Sequence, residues 1–264
     1  FDGEYKHIQP SPYSGNNLHI IGLKFYADGA LGSRGALMLD KYNDAETYGL
    51  ELISRDELYK RAKEGCENNW DIAVHAIGDR ANRNVLDVYE RLRKDCYENN
   101  LRIEHSQLIH PEDIVRFNNL NVIASVQPIH CTSDKSMAIR RLGENYKYAY
   151  PWKTLIKNGA LIIAGSDFPI ESHNPFLGID SFINRTAENE EESWQKEETL
   201  SIEEALLSYC YTPHFSTKTQ LGGTLEKGEK ANISIIDNDL TNTDTIKYTK
   251  VIATICNGKL TKHL

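Results

Sequence analysis

The chain has 264 residues, 40% hydrophobic and 26% charged, with 38 acidic against 30 basic side chains and a net charge of −8. That length supplies enough apolar surface for a substantial core, and no apolar run reaches the roughly 18 residues of a membrane span. A general polyanion binder needs clustered positive charge, so nucleic acid and membrane are both set aside as partners.

Cys66, Cys96, Cys131, Cys210 and Cys256 are odd in number and never spaced C-x-x-C. This opposes a disulfide framework and a zinc knuckle, and it fits a reducing compartment, the cytoplasm. The chain opens without an initiator Met and without the basic and apolar regions of a signal peptide. It is therefore expected to begin inside a longer reading frame.

Short apolar runs alternate with helical patterns, as βα units on a parallel sheet do. The first run is residues 20–26 (IIGLKFY). Ser54 and Glu57 then form an S-x-x-E capping box for a helix that buries Leu58 and Ala62 and ends at Asn68-Asn69. After the run 72–76 (IAVHA), Val85, Leu86, Val88, Tyr89 and Leu92 recur at helical spacing, which predicts an amphipathic helix over 80–98. The run 101–105 (LRIEH) precedes a helix with Pro111 at its first position, where a missing N–H costs nothing.

The run 122–126 (VIASV) is followed by a helix over 151–158 that Gly159 stops, and then by the run 161–164 (LIIA). The acidic stretch 187–198 reads as a solvated loop or helix face. A second capping box, Ser201 and Glu204, opens a helix through Leu206, Leu207 and Cys210. From residue 221 glycines punctuate short segments: 231–236 reads as a strand, and 251–256 leads into Asn257-Gly258, a strong hairpin signal. The expected domains are 1–220, of βα units, and 221–264, a small β segment.

Polar residues with metal-ligand chemistry stand at the ends of these strands: Lys24, His75, His105 and Asp167. In barrels of βα units the C-terminal strand ends converge on the active site. Each residue alone has a bland reading: a lysine that snorkels to water, a histidine held by a carbonyl, an aspartate capping a helix. Together, imidazole nitrogens and carboxylates are the usual donors to zinc and related divalent ions.

Several segments resemble the amidohydrolase superfamily: GLKFYADGALGSRGALM (22–38), AVHAIGDRANRNVLDVYE (73–90), RIEHSQLIHPEDI (102–114), SVQPIH (125–130), AYPWKTLIKNGALIIAGSDFPIESHNPFLGI (149–179) and LSIEEALLSYCYTPHFS (200–216). More narrowly they are similar to amidohydrolase family 3, the YtcJ-like metal-dependent hydrolases related to N-substituted formamide deformylase. The tail LGGTLEKGEKANISIID (221–237) is similar to strands with which such enzymes return to a β-sandwich.

The resemblance implies an α/β fold, a partial TIM (β/α)8 barrel of about strands four to eight with a C-terminal β-sandwich segment. It implies hydrolysis of a non-peptide carbon–nitrogen bond in a small-molecule amide by metal-activated hydroxide, with one or two divalent ions, zinc foremost. Lys24 matches a carboxylated lysine ligand, whose formation burial of the amine would favour. His75 and His105 match two histidine ligands, and Asp167 matches the aspartate that touches metal and shuttles the proton. Asp28, Arg34, Gln127 and His130, on expected loops, belong to the substrate pocket wall, with His130 a hydrogen-bond partner for a substrate carbonyl. For Asp28 and Arg34, turn hydrogen bonds that hold the loop 29–35 explain the residues equally well. His110 and His173 are left out.

The family's H-x-H pair does not occur, and His7 and His19 stand alone. A fragment of a longer enzyme, one half of a split enzyme, or a degenerate paralogue that binds metal or a complementary chain without turnover would each explain this. Exposed barrel edges predict self-association or pairing with a complementing N-terminal segment.

Overall fold

A computed structural model describes residues 20–217 and 222–263, without the side chains of 262 and 263. The expected boundary at 220/221 lies outside the described residues, as do His7 and His19. All five apolar runs form strands: β1 (Gly22–Tyr26), β2 (Asp71–Ala76), β3 (Leu101–His105), β4 (Val122–Val126) and β5 (Leu161–Ala164). They form one sheet in chain order. β1 pairs parallel with β2, Tyr26 opposite His75, and β2 pairs parallel with β3, His75 opposite Glu104. The chain divides into two compact units.

In the first unit, residues 1–124, 137–151 and 157–161, the layer over the sheet is α1 (Arg55–Glu67), α2 (Asp79–Lys94) and α3 (Pro111–Asn119). Ser54 caps α1 by accepting the Glu57 N–H at 3.3 Å. The reciprocal half of the expected box is not made, because the Glu57 carboxylate accepts from Arg61 Nε at 2.5 Å one turn on. On α2 the five expected core residues, Val85 to Leu92 at helical spacing, are fully buried. That helix stops at Lys94, short of 98, where Cys96 turns to a left-handed φ of 64°. Pro111 opens α3 as expected, and the cap is His110, whose Nδ1 accepts the Glu112 N–H at 3.3 Å.

Two buried polar side chains tie the strand ends of this unit together. The Asp28 carboxylate, 1% exposed, accepts three backbone N–H groups: Leu37 at 2.8 Å, Ile77 at 3.0 Å and Gly78 at 2.8 Å. The approach is close enough that a Cβ on Gly78 would lie 2.0 Å from the Leu37 carbonyl oxygen. Asn82 lies with its Nδ2 3.1 Å from the Ala76 carbonyl and 3.1 Å from that of Leu108, so the exits of β2 and β3 share one amide.

The second unit comprises residues 125–136, 152–156 and 162–264. The helices α4 (Pro128–Leu142) and α6 (Pro175–Ile183) have no counterpart in the sequence reading. The polar run 132–136 breaks the apolar spacing of α4. The start of α6 does carry a legible signal, Asn174 before Pro175, and the Asn174 Oδ1 accepts the Phe176 N–H at 3.1 Å. The helix expected over 151–158 is α5 (Trp152–Lys157).

The second capping box is complete: Ser201 Oγ accepts the Glu204 N–H at 3.2 Å and Glu204 accepts the Ser201 N–H at 2.8 Å. It opens α7 (Ile202–Leu206), which widens into a π turn, Leu207–Tyr211, before α8 (Pro213–Ser216). The acidic stretch 187–198 is not simply solvated. Trp194 and Glu198 are buried, and Glu198 accepts the Thr154 N–H at 3.0 Å. The Arg185 guanidinium, fully buried, lies 4.5 Å from the Trp152 ring and donates from Nε to the Trp194 carbonyl at 2.8 Å. In the tail, β6 (Ile233–Ile236), β7 (Val251–Cys256) and β8 (Lys259–His263) form an antiparallel sheet. Asn257 and Gly258 both have positive φ, 49° and 76°, as the Asn-Gly signal requires.

Two outcomes follow from this burial. Asp28→Ala strands three buried N–H groups, and a loss of about 3 kcal/mol or more is expected in urea unfolding. Burial pushes the Cys131 thiol up to about 12, and Cys66 is also buried, whereas Cys96, Cys210 and Cys256 are exposed. A disulfide reagent at pH 8 is therefore expected to modify Cys96 and Cys256 readily and Cys210, whose thiol burial also raises, more slowly. Cys66 and Cys131 should react only after unfolding; early modification of either would contradict the packing.

Candidate metal centre

In the first unit, β1, β2 and β3 bring three candidate side chains, Lys24, His75 and His105, into one group with Tyr26. The Lys24 Nζ stands 5.2 Å from the centre of the Tyr26 ring. Tyr26 lies 5.4 Å from the His75 ring, and His75 and His105 meet edge to face at 4.4 Å. Strand parity alone would not give that last contact. Register pairs His75 with Glu104 and Ala76 with His105, so in a regular strand His105 would project to the face opposite His75. Instead His105 takes a left-handed φ of 77° and Ser106 one of 45°, which ends the extended alternation and turns the imidazole onto its neighbour.

His75 is mostly buried, and its Nε2 has no hydrogen-bond partner; the nearest carboxylate oxygen, Asp28 Oδ1, is 3.4 Å away. A carboxylate behind an imidazole is the usual support of a metal-ligating histidine. Asp28 therefore backs this group while its other contacts hold the backbone, the loop-holding alternative of the sequence reading. Arg34 behaves likewise. Its guanidinium forks onto Asp44 with both contacts at 3.0 Å, holding that carboxyl below the usual range, and Arg141 reaches the same carboxylate at 3.1 Å.

Lys24 is exposed, on β1, the terminal strand in the sheet order, which has a described strand on one side only.

In the second unit, Gln127 lies in the connection between β4 and α4, a loop position as expected, whereas His130 does not lie on a loop. Gln127 is buried, donating from Nε2 to the Ser125 carbonyl at 3.3 Å, and His130 sits in the first turn of α4. His130 Nδ1 lies 3.3 Å from Glu171 Oε1, and Ser133 Oγ donates to the same oxygen at 2.6 Å. Asp167 follows β5 with an exposed side chain and a left-handed φ of 54°. His105 and Asp167, both strand-end candidates, thus carry backbone strain of roughly 1–3 kcal/mol each, a cost that proteins concentrate at functional sites.

Sequence reasoning missed Tyr26 and Glu171. Tyr26 was accessible, since period-two alternation sets it on the face of Lys24. Nothing local marks Glu171. The donor chemistry in the first unit fits a divalent ion: the His75 and His105 imidazoles are packed together, with the Asp28 carboxylate 3.4 Å from His75 Nε2. Among the described residues no helix is long and apolar enough to cross a membrane.

The sequence profile described as the amidohydrolase family matches residues 5–261. YtcJ of Bacillus subtilis (strain 168) is 32% identical over 94% of this chain and 48% of its own length. The N-substituted formamide deformylase of Arthrobacter pascens is 24% identical over 90% of this chain and 45% of its own length. Among solved structures, an uncharacterized metal-dependent hydrolase from Pyrococcus horikoshii OT3 superposes with a TM-score of 0.76 at 34% identity, over 86% of this chain and 46% of that one. The chain spans about half the length of these relatives.

The strain at Asp167 has a measurable consequence. Because its side chain is exposed, Asp167→Gly is expected to stabilise the chain by about 1 kcal/mol in thermal or urea unfolding. A lower melting temperature would show that the carboxylate contributes more to folding than its backbone costs.

Proposed function

We propose, taking as premise that this chain belongs to the amidohydrolase family, that it is the C-terminal part of a metal-dependent hydrolase acting on a non-peptide carbon–nitrogen bond of a small-molecule amide. The observation that carries this reading is the His75–His105 pair, two imidazoles from neighbouring strand ends brought together at 4.4 Å by a left-handed residue. The relationship to an N-substituted formamide deformylase supports an amide or formamide as substrate. On this reading the five-stranded sheet is about strands four to eight of a (β/α)8 barrel, residues 1–220 form the barrel part, and 221–264 belong to a β-sandwich.

His75 and His105 hold a divalent ion, zinc by donor type, with Lys24 as a carboxylated third ligand once a further barrel segment covers β1. Bound there, the ion supplies Lewis acidity to a carbonyl and makes water more acidic. The chain's own part is proton handling and placement. The Asp167 carboxylate takes the proton of the water that adds to the carbonyl carbon and returns it to the nitrogen as the carbon–nitrogen bond breaks. Asp28 keeps the His75 ring in place. The acidic balance and the reduced cysteines support a cytoplasmic setting.

A second reading, a barrel remnant that binds metal or a complementary chain without turnover, is favoured by the exposed Lys24. Metal analysis and one assay separate the two. After dialysis against zinc, the chain is expected to retain metal measurable by plasma mass spectrometry, and His75→Ala or His105→Ala to lose it. In the full-length frame, Asp167→Asn is expected to lower kcat for formamide or amide hydrolysis by about 10²–10⁴-fold. Metal retention without hydrolysis of any amide overturns the enzyme reading; no retention overturns the metal centre. Sedimentation is expected to show concentration-dependent self-association through β1, which a monomer with a cooperative melt at all concentrations would contradict.

A further inference from the structure

We infer that Glu171 is a positioning residue that fixes His130 in the tautomer with hydrogen on Nδ1, so that Nε2 presents a lone pair. The residues lie together in the second unit: His130 in the first turn of α4, Ser133 one turn on, and Glu171 in the segment between β5 and α6. An ionised carboxylate accepts and does not donate. At 3.3 Å from Glu171 Oε1, the His130 Nδ1 therefore carries the hydrogen, and in a neutral imidazole the other nitrogen must be the acceptor.

The carboxylate is itself fixed. Ser133 Oγ donates to Glu171 Oε1 at 2.6 Å, so one oxygen receives hydrogens from two side chains of the same helix. Both partners are sheltered, His130 12% and Glu171 21% exposed in their side chains. This is the arrangement by which carboxylates orient metal-binding imidazoles, and His130 is one of the residues that offer a ligand atom.

The consequence reverses the role first read for His130. A neutral imidazole with hydrogen on Nδ1 cannot donate from Nε2 to a substrate carbonyl oxygen; it can bind a metal ion or accept a hydrogen. The assignment of Nε2 to the ion rests on the proposed metal-dependent function, but the tautomer does not, and the two are tested separately.

Nitrogen-15 histidine spectra of the metal-free chain, with His130 assigned through His130→Gln, report the tautomer directly. The expected pattern is protonated Nδ1 and unprotonated Nε2. Glu171→Ala should shift His130 toward the Nε2–H form, and Glu171→Gln, which keeps an acceptor oxygen of nearly the same shape, should largely restore the wild-type pattern. A purely structural role would change the melting temperature without this alternation between variants. A wild-type His130 with hydrogen on Nε2, or a tautomer indifferent to Glu171→Ala in a folded chain, overturns the inference.

Zinc titration supplies the second arm. The His130 Nε2 resonance should move on binding, and Glu171→Ala should weaken zinc affinity by about 10–100-fold. If His75 and His105 respond and His130 does not, the ligand role of Nε2 falls. If no histidine responds while the tautomer is as expected, the proposed metal centre fails and the role of Glu171 stands.

Discussion

The Asp28 carboxylate is the fixed point of the first unit. A carboxyl group almost wholly withdrawn from water is tolerable only when its oxygens accept hydrogen bonds, and here three backbone N–H groups from two separate segments converge on it. Those contacts fasten the loop after β1 to the turn after β2, which places the exit of each strand. The same carboxylate stands behind the His75 imidazole. One side chain therefore couples folding of the loop to orientation of the ring, and the glycine at 78 is what lets the loop carbonyl at Leu37 come so near.

Strain and support are distributed unequally over the strand ends. His105 and Asp167 stand in left-handed backbone conformations that beta geometry alone does not require. The histidines, by contrast, have carboxylates near them: Asp28 near His75 in the first unit, Glu171 near His130 in the second. A carboxylate that accepts from one ring nitrogen leaves the other as the lone-pair donor, the relation inferred for His130, whereas His75 Nε2 makes no hydrogen bond to Asp28.

Membership of the amidohydrolase family and the parallel strand–helix rhythm agree with each other. Lys24 is exposed on the terminal strand of the described sheet. In the second unit, Arg185 lies against the indole of Trp152 and bonds the backbone at Trp194.

Much of this was legible in the chain alone. The five strands follow from short β-branched runs, α2 from its apolar spacing, the caps at Ser54 and Ser201 from side-chain oxygens set before a first turn, and the hairpin from Asn257-Gly258. These signals are local: each depends on residues within one turn or one strand. What escaped was non-local or masked. The polar run 132–136 hid α4 and so made His130 a loop residue, and Glu57 was drawn from its cap by Arg61 one turn away. The sequence by itself determined the five strands, the residue types at their ends and the family. Only the tertiary structure decided that Asp28 serves backbone and ring together, that His105 turns against strand parity to meet His75, and that Glu171 belongs to His130, because those relations join segments that no periodicity or spacing connects.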